Sequence, residues 1–444
     1  MITFRIGGVH PHENKIAREA AITPLAPPAK VAISMAQHLG APATPVVAKG
    51  DKVLVGQVIG EPAGFISGFV HSSVSGTVAA VEPRADIAGN MVPHVVRDVE
   101  GDEWDPAIDR SEAVVRKITD SPEDILAKIK AAGIVGMGGA TFPTHVKLNP
   151  PEGKKAEFLI INGAECEPYV TADDRLMREK PDAIVIGAAI MSKVLGGCKC
   201  KICIEENKPE AIEAIQKASA VYPDIEVLKL KKKYPQGGEK QLIDAVTGRQ
   251  VPSGALPIDT GCVVQNVATS YAVYEAIQKN KPLFERVMTV TGQCVPSPRN
   301  YRVRLGTPLS FVLEAAGGMP ETAAKFISGG PMMGKAIANM DATTQKGSSC
   351  LLLLTEEQTR RKPESNCIRC GKCTDACPMG LEPWLLNKLS RAGGQYDALE
   401  ENKIFDCIEC GCCLYTCPAN IPLLDVIRIN KAEVMKIIRS RAKK

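Results

Sequence analysis

Two cysteine runs near the end of the chain constrain it more than any other feature. The first reads Cys367-x2-Cys370-x2-Cys373-x3-Cys377-Pro378 and the second Cys407-x2-Cys410-x2-Cys413-x3-Cys417-Pro418, so each cysteine of one run has a counterpart at the same offset in the other. This is an internal repeat, and thiols spaced this way shape loops around a common guest. The chain has 16 cysteines in 444 residues, far below the density of a small disulfide scaffold. The opening Met1-Ile2-Thr3-Phe4-Arg5 carries no apolar leader segment, which predicts a cytoplasmic chain. In such a chain, patterned cysteine indicates metal or redox chemistry before disulfides.

The spacing is that of bacterial ferredoxins with two [4Fe-4S] clusters, in which the fourth cysteine of each run ligates the other cluster. One cluster is therefore expected on Cys367, Cys370, Cys373 and Cys417, the other on Cys407, Cys410, Cys413 and Cys377. Two-residue gaps let one loop wrap three corners of a cubane, the distant fourth ligand ties the halves together, and thiolates suit the soft cluster. A pair of zinc sites is the competing reading, and the x2-x2-x3-Pro form argues against it. Cys412 is read as a bystander. Between the runs, Glu382 to Tyr396 reads as helix and connection, with Leu385, Leu386 and Leu389 at helical spacing.

The rest of the chain must supply what the clusters serve. Its composition, 45% hydrophobic and 23% charged, is that of soluble globular protein, and its length suggests about two to four domains. No apolar run approaches the roughly 18–20 residues of a membrane-spanning helix. A net charge of +4 is too balanced to favour nucleic acid as a partner. From Glu157 onward, strand and helix patterns alternate. Phe158–Ile161, Cys200–Ile204 and Ile225–Leu228 read as strands, with helices at Pro181–Leu195 and Pro209–Ala220 between them. Such βαβαβ order predicts a parallel, doubly wound sheet with ligands beyond the strands' carboxyl ends. Asn162 to Glu167, Glu205 to Asn207 and Gly237 to Lys240 fall there. A helix started by Ser121-Pro122-Glu123-Asp124 leads to Gly136-Met137-Gly138-Gly139-Ala140-Thr141-Phe142-Pro143 and Lys147. Taken alone, this segment fits either a phosphate cradle or an ordinary glycine-rich turn, since it matches neither common nucleotide fingerprint.

Taken together, Gly136 to Lys147, Asn162-Gly163-Ala164-Glu165-Cys166-Glu167-Pro168, Gly238-Glu239 and Val264-Gln265-Asn266-Val267 resemble the flavin site of the FMN-bearing, NADH-oxidising subunit of respiratory complex I. The opening Phe4-Arg5-x-Gly7-Gly8-Val9-His10-Pro11-x-Glu13-Asn14-Lys15 and the doubled cysteine run resemble more closely the C-subunit family of Rnf electron transport complexes, over essentially the whole chain. That resemblance implies a multidomain α/β chain. Its parts would be a barrel-sandwich β domain over 1–115, a Rossmann-like FMN and NADH domain over 116–285, a β-grasp (SLBB-like) module over 286–350, and a helical 2[4Fe-4S] ferredoxin-like domain over 351–444. The barrel-sandwich would be of the lipoyl type without its carrier lysine, because the expected tip is Gly64-Phe65-Ile66-Ser67-Gly68.

The resemblance further implies that Gly136, Gly138, Gly139, Lys147, Asn162, Glu165, Gly238, Glu239 and Asn266 hold FMN. Phe142, Glu167 and Lys240 would meet the dinucleotide, with hydride transfer left to the cofactors and no catalytic side chain. Both glutamates are expected as ligands, capping of the following turn being the alternative. Three positions depart from the complex I pattern: Met137 stands for an arginine, Ala164 for an aspartate and Lys240 for a second glutamate. The implied role is a peripheral subunit on the cytoplasmic side of the cell membrane. It would join integral membrane subunits and an iron-sulfur subunit in NADH–ferredoxin electron transfer coupled to Na+ or H+ translocation. A cobalamin reductase-like flavin and iron-sulfur enzyme and a non-catalytic electron-transfer adaptor are the rival readings. Cys198, Cys200 and Cys203 read as strand residues rather than a third metal site, and Lys431 to Lys444 as an ordinary basic helix.

Overall fold

The computed structural model describes residues 2–441. A parallel sheet of four strands lies near the middle of the chain: Phe158–Gly163 (β1), Lys199–Glu205 (β2), Ile225–Leu230 (β3) and Cys262–Asn266 (β4), in the order β3-β2-β1-β4. Its helices are Pro122–Ala131 (α1), Ala172–Glu179 (α2), Pro181–Val194 (α3), Pro209–Ser219 (α4), Glu239–Thr247 (α5) and Val267–Gln278 (α6). Alternation along the strands makes two cores. Leu159, Ile161, Ile202 and Ile204 join Ile125, Ile184, Ile190, Ile215 and Val273 on one side. On the other, Ile160, Cys203 and Val264 meet Leu242 and Ile243 of α5.

The three strands expected from the sequence are present. The fourth, β4, was visible only as the motif Val264–Asn266, because it is short and ends in two amides. Its position matters most, since the chain builds β1, β2 and β3 outward in one direction and then returns to place β4 on the other flank of β1. Strand order therefore reverses between β1 and β4, the crevice in which open α/β sheets bind ligands. Asn162 and Asn266 are register partners at that point.

Two of the expected domain boundaries are crossed by packing between modules. Small antiparallel sheets built between Lys30 and Val99 enclose Val31, Ile33, Ile59, Val78 and Val95, the barrel-sandwich core. The residues before them reach the other modules. Ile2 bridges Leu230 of β3, Val9 bridges Tyr234, and Thr23–Pro24 pairs in parallel with Arg299–Arg304 of the β-grasp sheet. The expected division at 350/351 also falls inside a strand, for Cys350–Thr355 runs parallel to Glu285–Thr291 and antiparallel to Ala323–Ser328. Leu351, Leu352 and Leu353 are fully buried, which an unbroken apolar run requires and a border linker would not provide.

The cysteine repeat is also a repeat of backbone. Arg369 and Glu409, Gly371 and Gly411, and Gly380 and Asn420 occupy equivalent places in the two runs, and each has positive φ. The helix Pro383–Ala392 lies between the runs, and Leu423–Arg441 closes the module. Residues 442–444 of the expected basic helix lie outside the described residues. Among the described residues, no helix is long and apolar enough to cross a membrane.

Lys346 joins three modules. Its ammonium is fully buried and donates to Phe69 O of the barrel-sandwich (2.8 Å) and Gly133 O after α1 (2.7 Å), with no ion-pair partner among the described residues. Burial pushes its pKa down to about 7. The folded value lies below the unfolded one, so the unfolded chain binds more protons in the interval between. The stability this group contributes is full above the unfolded pKa and is lost as pH falls through about 7. Relative to Lys346→Met, the parent chain is expected to gain up to about 1.4 kcal/mol per pH unit between roughly pH 7 and 10. Paired denaturation curves across that range check this, and a pH-independent difference would contradict it.

Candidate functional site

The glycine loop after α1 sits at the reversal point of the sheet. Gly136 N donates to Phe142 O (2.9 Å), closing the loop, and Met137 N donates to Thr269 Oγ1 of α6 (2.9 Å). A Cβ at Gly138 would stand 2.8 Å from Asn266 Nδ2, whereas one at Gly139 would meet nothing within 4 Å. The loop thus presses backbone against the end of β4 and then opens to the crevice, as a cradle for a phosphate-bearing group must. The short helix Thr144–Lys147 brings Lys147 to Val264 O (3.1 Å) and Glu239 Oε1 (2.5 Å). Asn162 donates to Gly237 O (2.8 Å) and accepts from Ala164 N (3.1 Å), so the turns after β1 and before α5 are held together. Asn266 caps α6 through Ala268 N (2.8 Å) and donates to the half-buried Asp173 (2.7 Å). Gly238 caps α5 closely enough that a Cβ would strike Gln241.

Phe142 lies half-buried at the end of the loop. Lys240 does not join this group. It reaches Pro252 O (3.4 Å) and lies 3.9 Å from Asp406 of the cysteine module, because the first turn of α5 points it there.

The carboxylates of the two glutamates are both engaged by backbone amides. Glu165, at φ 44°, accepts from Asp173 N (2.7 Å) and Asp174 N (3.1 Å) at the start of α2. Glu167 accepts from Met332 N (3.1 Å) and Met333 N (2.7 Å), clamping the Gly-Gly-Pro-Met-Met turn of the β-grasp module. Burial raises the pKa of each carboxyl; Lys15 opposes the shift at both, and the Met332 and Met333 amides oppose it at Glu167.

Three supporting residues escaped the sequence reading as site residues. Lys15 donates to Glu165 O (2.8 Å), Glu167 O (2.9 Å) and Val170 O (2.6 Å), and Lys208 donates to Ala164 O (2.6 Å). Two lysines from distant parts of the chain therefore hold the loop that follows β1. The third is Tyr234, 2% exposed, whose hydroxyl donates to Cys410 O (2.8 Å) and lies 3.4 Å from Glu167 Oε1. Nothing in its local sequence distinguishes it from a core tyrosine.

Around the second cysteine run, Cys377, Cys407, Cys410 and Cys413 line one cavity with Leu381, Leu386 and Ile427. A cavity lined by these thiols suits an iron-sulfur cluster. Cys412 also lines this cavity, and its thiol lies 3.9 Å from Tyr234 O. Cys367 and Cys370 are exposed, while Cys373 and Cys417 are half-buried against Cys413, Ala419 and Ile421. The cavity of the second run faces the flavin crevice. Gly8 N donates to Ala376 O (2.9 Å), Gln241 Nε2 donates to Pro378 O (3.1 Å), and a Cβ at Gly7 would strike Cys377 O. The N-terminal strap is thus threaded between the sheet and the cysteine module, and only glycine fits at its closest approach.

Comparison with known families assigns the modules. Residues 2–103 match the RnfC barrel sandwich hybrid domain, 129–275 the Nuo51 FMN-binding domain, 287–336 the SLBB domain and 360–418 the 4Fe-4S dicluster domain. FMN and two [4Fe-4S] clusters are accordingly the cofactors of these domains, in agreement with the glycine cradle and the thiol-lined cavity. The C subunit of the Na(+)-translocating ferredoxin:NAD(+) oxidoreductase complex of Acetobacterium woodii is 46% identical over 98% of this chain and 97% of its own. The C subunit of the proton-translocating ferredoxin:NAD(+) oxidoreductase complex of Clostridium ljungdahlii is 46% identical over 97% and 94%. The C subunit of the ion-translocating oxidoreductase complex of Rhodobacter capsulatus is 42% identical over 96% and 82%. With such identity along nearly its whole length, the chain belongs to the family of Rnf complex C subunits.

Proposed function

We propose that the chain is the peripheral NADH-oxidising subunit of a membrane-bound Rnf complex, on the cytoplasmic side of the cell membrane. It would work with integral membrane subunits and an iron-sulfur subunit in NADH–ferredoxin electron transfer coupled to Na+ or H+ translocation. The observation that carries this reading is the contact through Tyr234, which joins the loop at the end of β1 to the backbone of Cys410. When bound, FMN supplies the exchange between a two-electron hydride and single electrons, which the clusters carry.

The residues of the chain do the rest. Gly136 closes the loop through its amide, Gly138 and Gly139 offer theirs to the flavin phosphate, and Lys147 adds positive charge. Asn162, Asn266, Gly238 and Glu239 form the floor on which the flavin is oriented. Glu165 positions the loop by capping α2, and Phe142 and Glu167 border the dinucleotide. Cys377, Cys407, Cys410 and Cys413 would hold the cluster nearer the crevice, and Cys367, Cys370, Cys373 and Cys417 the outer one, so that the clusters would supply one-electron relay in that order.

An anaerobic NADH titration of the FMN- and cluster-reconstituted chain tests the reading, with flavin absorbance and cluster EPR recorded together. Flavin bleaching followed by reduced-cluster signals supports it. If dithionite reduces the clusters while NADH changes nothing with FMN bound, the adaptor reading replaces it. Glu167→Ala releases two backbone amides beside the crevice, and NADH oxidation by ferricyanide is expected to fall roughly tenfold or more. Unchanged turnover would remove Glu167 from the dinucleotide site.

A further inference from the structure

The tip of the barrel-sandwich domain is the most exposed apolar feature of the molecule, and it adjoins the glycine loop. Phe65 is 82% exposed, Leu39 54% and Ile66 36%. They form one lip, because Ala41 N donates to Ile66 O (3.1 Å) and Gly40 packs directly on Ile66. The lip touches the nucleotide loop, for Leu39 N donates to Thr141 O (3.3 Å). The loop therefore runs from the floor of the crevice, where Gly138 meets Asn266, past the open Gly139, to the barrel tip at Thr141. Polarity changes along the same line. Backbone amides and Lys147 occupy the inner part, whereas residues 39–48 and 62–70, which build the lip, include no Asp, Glu, Lys or Arg.

We propose that Phe65, with Leu39 and Ile66, forms the binding surface for the purine of the dinucleotide, and so determines affinity for the adenylate half. The inference rests on the NADH reading above. A flat, uncharged base gains by leaving water against an aromatic and two aliphatic side chains. The tip has no lysine to carry a prosthetic arm, which leaves it free for this use. An aromatic side chain left in water beside a nucleotide loop is otherwise a liability.

The test uses the full chain with FMN and both clusters, and ferricyanide as acceptor. It compares NADH with reduced nicotinamide mononucleotide, which lacks the adenylate half. For Phe65→Ser, KM for NADH is expected to rise about tenfold with kcat unchanged, the size of effect seen when a base loses a stacking partner. Both constants for the mononucleotide are expected to stay as in the parent chain. Phe65→Trp should restore the KM for NADH, which a merely structural role would not produce. If the parent chain oxidises NADH and Phe65→Ser and Leu39→Ser leave its KM unchanged, this proposal falls alone, and the lip is a protein-docking surface. If the parent chain does not oxidise NADH with FMN bound, the functional reading falls and the lip assignment with it.

Discussion

Serine in place of Cys410 is expected to reduce NADH-driven reduction of the exposed cluster to background while leaving flavin bleaching by NADH intact. Cys410 belongs to the four thiols that line the buried cavity, and its carbonyl accepts the hydroxyl of Tyr234. The contacts between the flavin crevice and the cysteine module reach this half of it: Gly8 on Ala376, Gln241 on Pro378, Tyr234 on Cys410. Cys367 and Cys370 lie on the outside of the same module, exposed. The reverse substitution separates the two positions. Cys370→Ser should abolish the EPR signal of the outer cluster and leave NADH able to reduce the inner one. Cys412→Ser, which removes a thiol outside the repeated ligand spacing and 3.9 Å from Tyr234 O, should leave both signals. Dithionite establishes that a cluster is present independently of NADH. If the outer cluster in Cys410→Ser is still reduced by NADH at the parent rate, electrons do not pass through the buried one, and the order drawn from the fold is wrong.

The cysteine runs were legible because their spacing is itself the geometry: two intervening residues set the loop, and Gly371 and Gly411 supply the backbone turn in both copies. The strands β1 to β3 were legible because apolar runs bounded by turns have few other uses. What the sequence concealed depends on contacts between distant segments. The expected division at 350/351 cuts the strand Cys350–Thr355, whose partners near 289 and 327 no local pattern discloses. Glu165 and Glu167 appear in the sequence as free carboxylates at the end of a strand. Their lone pairs are taken by amides of residues 173, 174, 332 and 333, which no local pattern discloses. Lys15 was seen as part of an N-terminal motif, but its function is set by carbonyls about 150 positions away.

That position carries the second large effect. Lys15→Met is expected to destabilise the chain by roughly 3–9 kcal/mol, since each of three carbonyls would lose its donor at about 1–3 kcal/mol apiece. The substitution keeps the length of the side chain and removes only the charge and its donors. Burial alone lowers the pKa of this ammonium, and the nearby Glu165 pulls it back up. With the lysine gone, Glu165 loses its cation as well as the loop it braces, and burial then favours its protonated form more strongly. The segment 165–170 would loosen, and with it the crevice between Asn162 and Asn266. Two readouts are therefore expected to move together: the denaturant midpoint, and the FMN retained per chain after gel filtration. Lys15→Arg, which keeps the charge but changes the donor geometry, should recover the midpoint in part and the flavin less completely. If Lys15→Met unfolds early yet retains its full flavin in the native range, the lysine is a structural tie only. If neither quantity moves, the three hydrogen bonds do not hold the loop, and the flavin site is organised from the sheet alone.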